Sequence, residues 1–380
     1  MPPPLPGSTS SSLMQGVKAT LISSGIGLLL LLVFTVVLWK NEGRAIRTAR
    51  GLAEGAAIVV PVDAAKVDAQ QESKLVHLSG EAVTKVPLED SAFGIKQLAL
   101  RLARKVQMYQ WKESSETTYS NNDSSRNGTT TYTYDKVWDD KPINSASFNQ
   151  PLNHTNPTAW RYSSEGWTAK DATIGAFHLP EGLVAKLGEG QALPMNESAY
   201  TFTEPNPPQL QDSTLYFGAN PLMPQVGDLK VTWRILKPGP HSIVGRQTGT
   251  SITPYPTKAG TFIELVADGH VGADVMFDRA VKENIALTWA IRLVGTLFVF
   301  AGIRLLFNPL ASLGRSVPFV SRLLSTGVTL FSAVLAVMLS LLVIGTAWFA
   351  YRPLLTIVLL IIMAALGIGW GMKYRKTAVG

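Results

Sequence analysis

Residues 21–39, LISSGIGLLLLLVFTVVLW, decide the fold of this chain. The run carries no charge and is about as long as the ~20 residues a bilayer-spanning helix needs. A cleaved signal peptide fits it worse. The apolar stretch is too long, and Lys40-Asn41-Glu42 follows where small residues would form a cleavage site. Three more apolar runs lie toward the C-terminus, at 289–307, 326–349 and 354–372. The fold expected is an α+β membrane protein: four transmembrane helices plus a β-rich extramembrane domain, a small barrel or sandwich, at 40–288 between spans 1 and 2. A Pro/Ser-rich tail at 1–20 reads as disordered. Residues 308–325 are expected to form a loop and 373–380 a tail.

Arg292 and Arg304 stand near the ends of the second run, so their stems can lie in hydrocarbon while the guanidinium heads snorkel outward. That reading places them at the membrane interface with Tyr351 and Arg352. A buried functional charge at Arg292 is the rival reading and ranks below it. Only residues 350–353 separate the last two runs, which forces an antiparallel hairpin, with Pro353 suited to begin a helix. Trp39, Trp289, Trp348 and Trp370 sit near span ends, as an aromatic belt requires. Four spans put both termini on one side. Basic residues flank the spans almost equally on the two sides, so charge leaves the orientation open. Ser23 and Gly27, and Gly367 and Gly371, are pairs of small residues four apart that let helices pack closely. Thr329, Ser332, Ser340 and Thr346 are expected to make interhelical hydrogen bonds. No acidic residue lies within the four runs, which argues against an ion-coupled carrier.

The chain has 380 residues and a formal charge of +7. Basic residues beside spans answer anionic lipid, so no nucleic-acid partner is expected. Cysteine is absent, which removes disulfides, thiolate metal sites and cysteine nucleophiles together. Sequons at Asn122, Asn127, Asn153 and Asn196 matter only in a glycosylating lumen.

In the polar stretch, 42–54 reads as a short helix and 56–62 as a β-like run. Strands are expected at 75–84, 215–217, 228–236, 241–247 and 261–267, separated by Pro and Gly clusters. Residues 98–111 are helix or strand in their first half and strand from Lys105 on. Residues 131–138 alternate, with Tyr132 and Tyr134 on one face, which predicts a long hairpin with a polar tip over 114–130. A helix is expected from 272 into the second span. Tyr109, Trp111, Tyr132, Tyr134 and Trp138 are the candidate interaction or ligand surface; aromatics at strand spacing are more often core. The five histidines, His77, His154, His178, His241 and His270, lack metal-pair spacing. Asp139-Asp140 reads as a turn rather than an acid/base pair, because adjacent strand residues face opposite ways. No phosphate loop, nucleophile elbow or dinucleotide fingerprint is present. No catalytic residue, metal or cofactor is expected.

Several blocks in order resemble one family. They are WKNEGRAIRTARGLAEG at 39–55, VQMYQWKESS at 106–115 and VW…PINSASFNQPLNHTNP at 137–157. VGDLKVTW at 226–233, TKAGTFIEL at 257–265 and WFAYRPL at 348–354 continue the series. The chain is identified by them as a member of the LUMA family, also called transmembrane protein 43. The resemblance implies four spans with both termini cytoplasmic and the large domain lumenal, or periplasmic in a bacterial member. It also implies self-association and a membrane-organising role. The Pro/Ser-rich N-terminus and the Thr/Asn-rich hairpin tip depart from animal members, so a bacterial inner-membrane protein is expected; in a eukaryote the location would be endoplasmic reticulum and nuclear envelope.

The leading function is a membrane scaffold that presents its β-rich domain for protein or envelope interactions, as a homo-oligomer with membrane lipids and an unidentified protein as partners. The alternative is a lipid- or small-ligand-binding protein in membrane stress or lipid handling.

Overall fold

The structure, a computed structural model, describes residues 9–119, 128–196, 200, 207–307, 318–351, 357 and 361. Arg352, Gly367, Gly371 and, apart from 357 and 361, the expected fourth span at 354–372 lie outside the described residues, as does the hairpin tip at 120–127. The described part is α+β. Three of its helices are long and apolar enough to cross a membrane, and the chain is an integral membrane protein.

Helix α1 runs unbroken over Thr9–Ile58. A separate short helix at 42–54 is not formed. Residues 40–55 carry Ala, Arg, Glu and Leu with no proline, so nothing stops the helix that the apolar run begins. The expected strand at 56–62 shrinks to β1 (Val60–Pro61).

Strands β2 (Leu75–Val83), β3 (Leu88–Asp90) and β4 (Ile95–Gln97) follow. Then come β5 (Arg101–Tyr119) and β6 (Gly128–Asp139), the long hairpin. Short pieces follow: β7 (Glu165–Thr168), β8 (Thr173–Ile174), β9 (Phe177–His178), helix α2 (Glu181–Val184) and β10 (Gln191–Ala192). Next are β11 (Gln209–Gln211), β12 (Thr214–Phe217), β13 (Leu229–Leu236) and β14 (Gly239–Thr248). The unit ends with β15 (Ser251–Thr253), β16 (Tyr255–Pro256), β17 (Phe262–Ile263) and β18 (Leu265–Asp268). Helices α3 (Ala273–Leu306) and α4 (Pro318–Tyr351) complete the described chain.

The chain divides into a helical unit and a β-rich unit, with the boundaries after Leu52 and after Asp278. In the β-rich unit, one sheet closes a ring of pairings through β2, β8, β9, β15 and β14, with β1 and β18 attached. Val76, Leu78, Ile174, Phe177, Ile243 and Ile252 fill its core. The other sheet has the order β11-β12-β13-β5-β6, over a second core of Phe93, Ile95, Leu102, Val106, Met108, Val231 and Trp233. Each such side chain contributes roughly 1.5–3 kcal/mol on burial. The first half of the ambiguous stretch at 98–111 is strand from Arg101. Its even-numbered residues from Leu102 to Gln110 are buried, and two of them, Arg104 and Gln110, are polar, which hides the period of two. Arg104 is held on Asp90 and Glu165, and its guanidinium lies 5.3 Å from the Phe93 ring and 5.4 Å from the Trp167 ring. Asp90 also accepts from the Trp233 indole at 2.9 Å. Such a buried cation persists only because every partner is present.

Candidate functional site

In the helical unit α1 and α3 run antiparallel, and their contacts pair off in order. Gly27 meets Gly302, where a Cβ on Gly302 would lie 2.8 Å from the Gly27 carbonyl oxygen. Phe34 stacks on Phe298 with centroids 4.1 Å apart. A Cβ on Gly295 would lie 2.7 Å from Leu38. Past Leu38 the seam turns polar. Asn284, Thr288 and Arg292 stand four residues apart, so they form one stripe on α3, and they meet Asn41, Glu42 and Arg44 of α1.

Glu42 is the centre of this arrangement and is 1% exposed. Arg292 donates from Nε and Nη2 to its two oxygens, each at 2.7 Å, and Trp348 of α4 donates from Nε1 to Oε2 at 2.8 Å. The Arg292 guanidinium also covers the Trp289 ring, 4.7 Å from its centroid. A bidentate, charge-assisted pair of this kind is strong and geometrically specific. Next to it, Arg44 donates to Asn284 Oδ1 at 2.9 Å, Asn41 Oδ1 at 3.1 Å and Thr288 Oγ1 at 3.0 Å. Asn41 donates to the Thr288 carbonyl at 3.2 Å, and Asn284 to the Ala45 carbonyl at 3.0 Å. Arg50 donates to the Tyr351 carbonyl at 2.6 Å. One carboxylate thus ties three helices together: with three donors on it, Glu42 is built to hold them.

The outward snorkelling expected of Arg292 gives way to this pair: its side chain is 15% exposed and turned onto Glu42, because a carboxylate within reach is a better partner than a longer path to water. Arg304 donates to Thr329 Oγ1 at 3.1 Å. Ser332 and Thr346 donate to carbonyls of their own helix, those of Val328 and Leu342, rather than across helices; this back-bonding is the short path for a hydroxyl in a helix. The Tyr351 ring is tilted against Trp39, with centroids 6.2 Å apart, and lies against Gly43. Among the sequence candidates Glu42 is missing. It lies beyond the charge-free run, and only the four-residue polar stripe at 284, 288 and 292 hinted that a partner was needed.

In the β-rich unit the aromatic candidates share one face of β5 and β6. Tyr109 pairs with Trp138 across the strands, with rings 5.1 Å apart. Trp111 lies opposite Lys136, whose ammonium is 4.8 Å from the ring centroid. His154 stacks on Tyr134 at 3.7 Å and meets Trp111 edge-on at 4.7 Å. The Tyr134 hydroxyl donates to Glu113 at 2.7 Å and accepts from the Gln150 amide at 3.0 Å. Burial, then the bond to Glu113, raises its pKa above the usual tyrosine value. Lys230 lies 4.2 Å from the Trp138 centroid. Tyr132 is exposed. Asn156, which no sequence reading singled out, binds both the N–H and the C=O of Trp111, at 2.7 and 2.9 Å. The four aromatics other than Tyr132 therefore pack against one another and the 140–156 segment as much as they face outward.

Asp139 caps the Lys141 amide at 2.9 Å and Asp140 pairs with Lys105 at 3.2 Å, a turn as expected. Of the histidines, His77 bonds the Val271 carbonyl, His178 the Lys170 carbonyl, and His270 the Ser79 hydroxyl. Among the described residues no group of three or more His, Asp or Glu is placed to hold a metal ion.

A family model, Transmembrane protein 43, matches residues 108–353. Transmembrane protein 43 of Mus musculus is 32% identical over 341 residues, covering 87% of this chain and 84% of the relative. That of Homo sapiens is 31% identical with the same coverage, and the homolog of Drosophila melanogaster is 28% identical over 347 residues, 88% of this chain and 90% of the relative. No solved structure matches the chain. The quoted blocks, the membrane helices flanking a β-rich unit and these matches agree, and the chain belongs to the transmembrane protein 43 family.

Proposed function

We propose that this protein is a membrane scaffold. The helical unit anchors and self-associates, and the β-rich unit, on the extracytoplasmic side, engages another protein or an envelope component. The observation that carries the reading is the β5–β6 ribbon. The β13 pairing ends at Met108, whereas β6 follows β5 out to Tyr119. Beyond it, β6 has no strand partner on its outer edge among the described residues. An open edge of this length can accept a strand from a partner. Native mass spectrometry in a mild detergent tests the reading: a discrete oligomer or a co-purified protein is expected, and a bare monomer would sink it. Because the chain has no cysteine, a single Cys at Ser124 reports the side; labelling from outside the cytoplasm is expected.

The second reading, a lipid- or small-ligand-binding protein, is favoured by a cleft of about 640 Å³ bounded by Met108, Arg161, Phe217 and Leu229. A monomer carrying a defined small molecule in the same experiment would select it.

A further inference from the structure

Strand β7 stands at an edge of its sheet. Among the described residues its strand partner is β5 alone. The Ala169 amide donates to the Leu100 carbonyl at 2.9 Å, so Trp167 and Glu165, in step with Ala169, also turn their backbone groups toward β5. In an antiparallel ladder the residues between them point the other way. Gly166 and Thr168 therefore carry two N–H and two C=O groups on the outer edge. Neither residue makes a backbone hydrogen bond on that side among the described residues.

A cleft of about 500 Å³ runs along this edge. It is lined by Gly166, Trp167 and Thr168 of β7 and by Val86 and Leu88 from the segment that leads into β3. The two segments are tied together at both ends. Arg104 bridges Asp90 and Glu165 at one end. At the other, Asp171 accepts from the Thr84 hydroxyl and from the Lys85 and Val86 amides. The cleft between the ties is held open. Val86 is 60% exposed there. The charges beside it are answered: Lys170 lies 3.9 Å from Glu181, and the three donors already named hold Asp171. An apolar wall alone would suit an acyl chain as well as a peptide. The backbone groups of β7 decide between them, because N–H and C=O groups at strand spacing are matched by another backbone.

We propose that this cleft takes an extended, uncharged segment of another protein as an added strand on β7. The segment pairs with Gly166 and Thr168 and sets an aliphatic side chain against Val86 and Leu88. The pairing spans 166–168, ~10 Å of strand. The inference rests on the reading of the β-rich unit as one that engages another protein, and it places a second docking edge apart from β6.

The test selects short peptides from a random phage-displayed library on the full chain in mild detergent. The enriched sequences are then synthesised, and their binding is measured by fluorescence anisotropy and by hydrogen exchange. Peptides that alternate aliphatic with uncharged polar residues are expected, and they should slow exchange over 166–168. Thr168→Pro removes an outward N–H without removing a bond to β5, a place where an edge strand tolerates proline. Val86→Lys puts a charge in the apolar wall. Each is expected to weaken binding by about tenfold or more, whereas Tyr132→Glu on β6 should leave it unchanged. The absence of any enriched peptide overturns the proposal, as does binding that survives both variants in the cleft. Binding lost in Tyr132→Glu alone moves the contact to β6, which sinks this site and leaves the protein-binding reading standing. Exchange over 166–168 that is already slow without peptide and speeds on dilution assigns the cleft to a second copy of the chain and also overturns the proposal. A melting curve checks the fold of each variant, and exchange over 166–168 in the unaltered chain decides the matter if a variant does not fold.

Discussion

Glu42 accepts three hydrogen bonds, and removing its charge would strand a largely buried guanidinium. Glu42→Gln is therefore expected to destabilise the helical unit by about 3–5 kcal/mol, read as a lowered melting temperature in detergent. Adding Arg292→Met should recover part of the loss, because the second change removes the stranded charge. If the double variant is no better than the single one, the pair is not the seat of the effect. Asp171 gives a pH signature in the β-rich unit. Burial pushes its carboxyl up, but bonds from the Thr84 hydroxyl and the Lys85 and Val86 amides outweigh that and hold its pKa below the usual carboxylate range. A depressed pKa means stability that is complete above the unfolded value of about 4 and lost as pH falls through the folded one. Acid unfolding of the β-rich unit should accordingly be less steep below about pH 4 in Asp171→Asn; a superimposable acid limb would refute this. Neither residue was legible beforehand. Glu42 sits outside the apolar run, and Asp171 owes its role to amides eighty-odd positions away.

The hairpin was the most readable element, since Thr131 to Trp138 alternate and Asn127-Gly128 breaks the chain. Its support was not readable. Asn156 is 4% exposed and pairs with both the N–H and the C=O of Trp111. It arrives from a segment with no period at all. Asn156→Ala should cost about 1–3 kcal/mol for the groups left unpaired and should speed hydrogen exchange at Trp111, whose amide donates to Asn156, while leaving β14 protected. Exchange that rises uniformly through the unit would mean global unfolding instead. The same element shows why β5 was half ambiguous. Arg104 occupies an inward position where an apolar residue would have marked the strand. Conversely, the expected break after the first span is absent because helix formers carry α1 to Ile58.

At the scale of the molecule, α1 and α3 approach through Gly27 and Gly302, where each residue's missing side chain is the other's space. Gly27 was marked by its spacing from Ser23; Gly302 was not, since its nearest small partner in that register, Gly295, is seven residues away. Gly302→Leu is expected to cost about 1–3 kcal/mol or more, because backbone atoms rather than a flexible side chain stand in the way, and to weaken cross-linking between cysteines placed at Leu31 and Phe298. Undiminished cross-linking would show that the seam tolerates the bulk. Membrane helices around a β-rich insert could be read from composition alone; which helix touches which depended on pairs that the chain keeps far apart. That separation has a consequence for how the protein is made. Glu42 precedes Arg292 by 250 residues and Trp348 by 306. At the roughly 5–20 residues per second of synthesis, the carboxylate waits on the order of ten seconds to a minute for partners that can emerge only after the whole insert has been delivered. Until then the Glu42 carboxylate has none of these donors, and the joining of the three helices becomes a late event in synthesis.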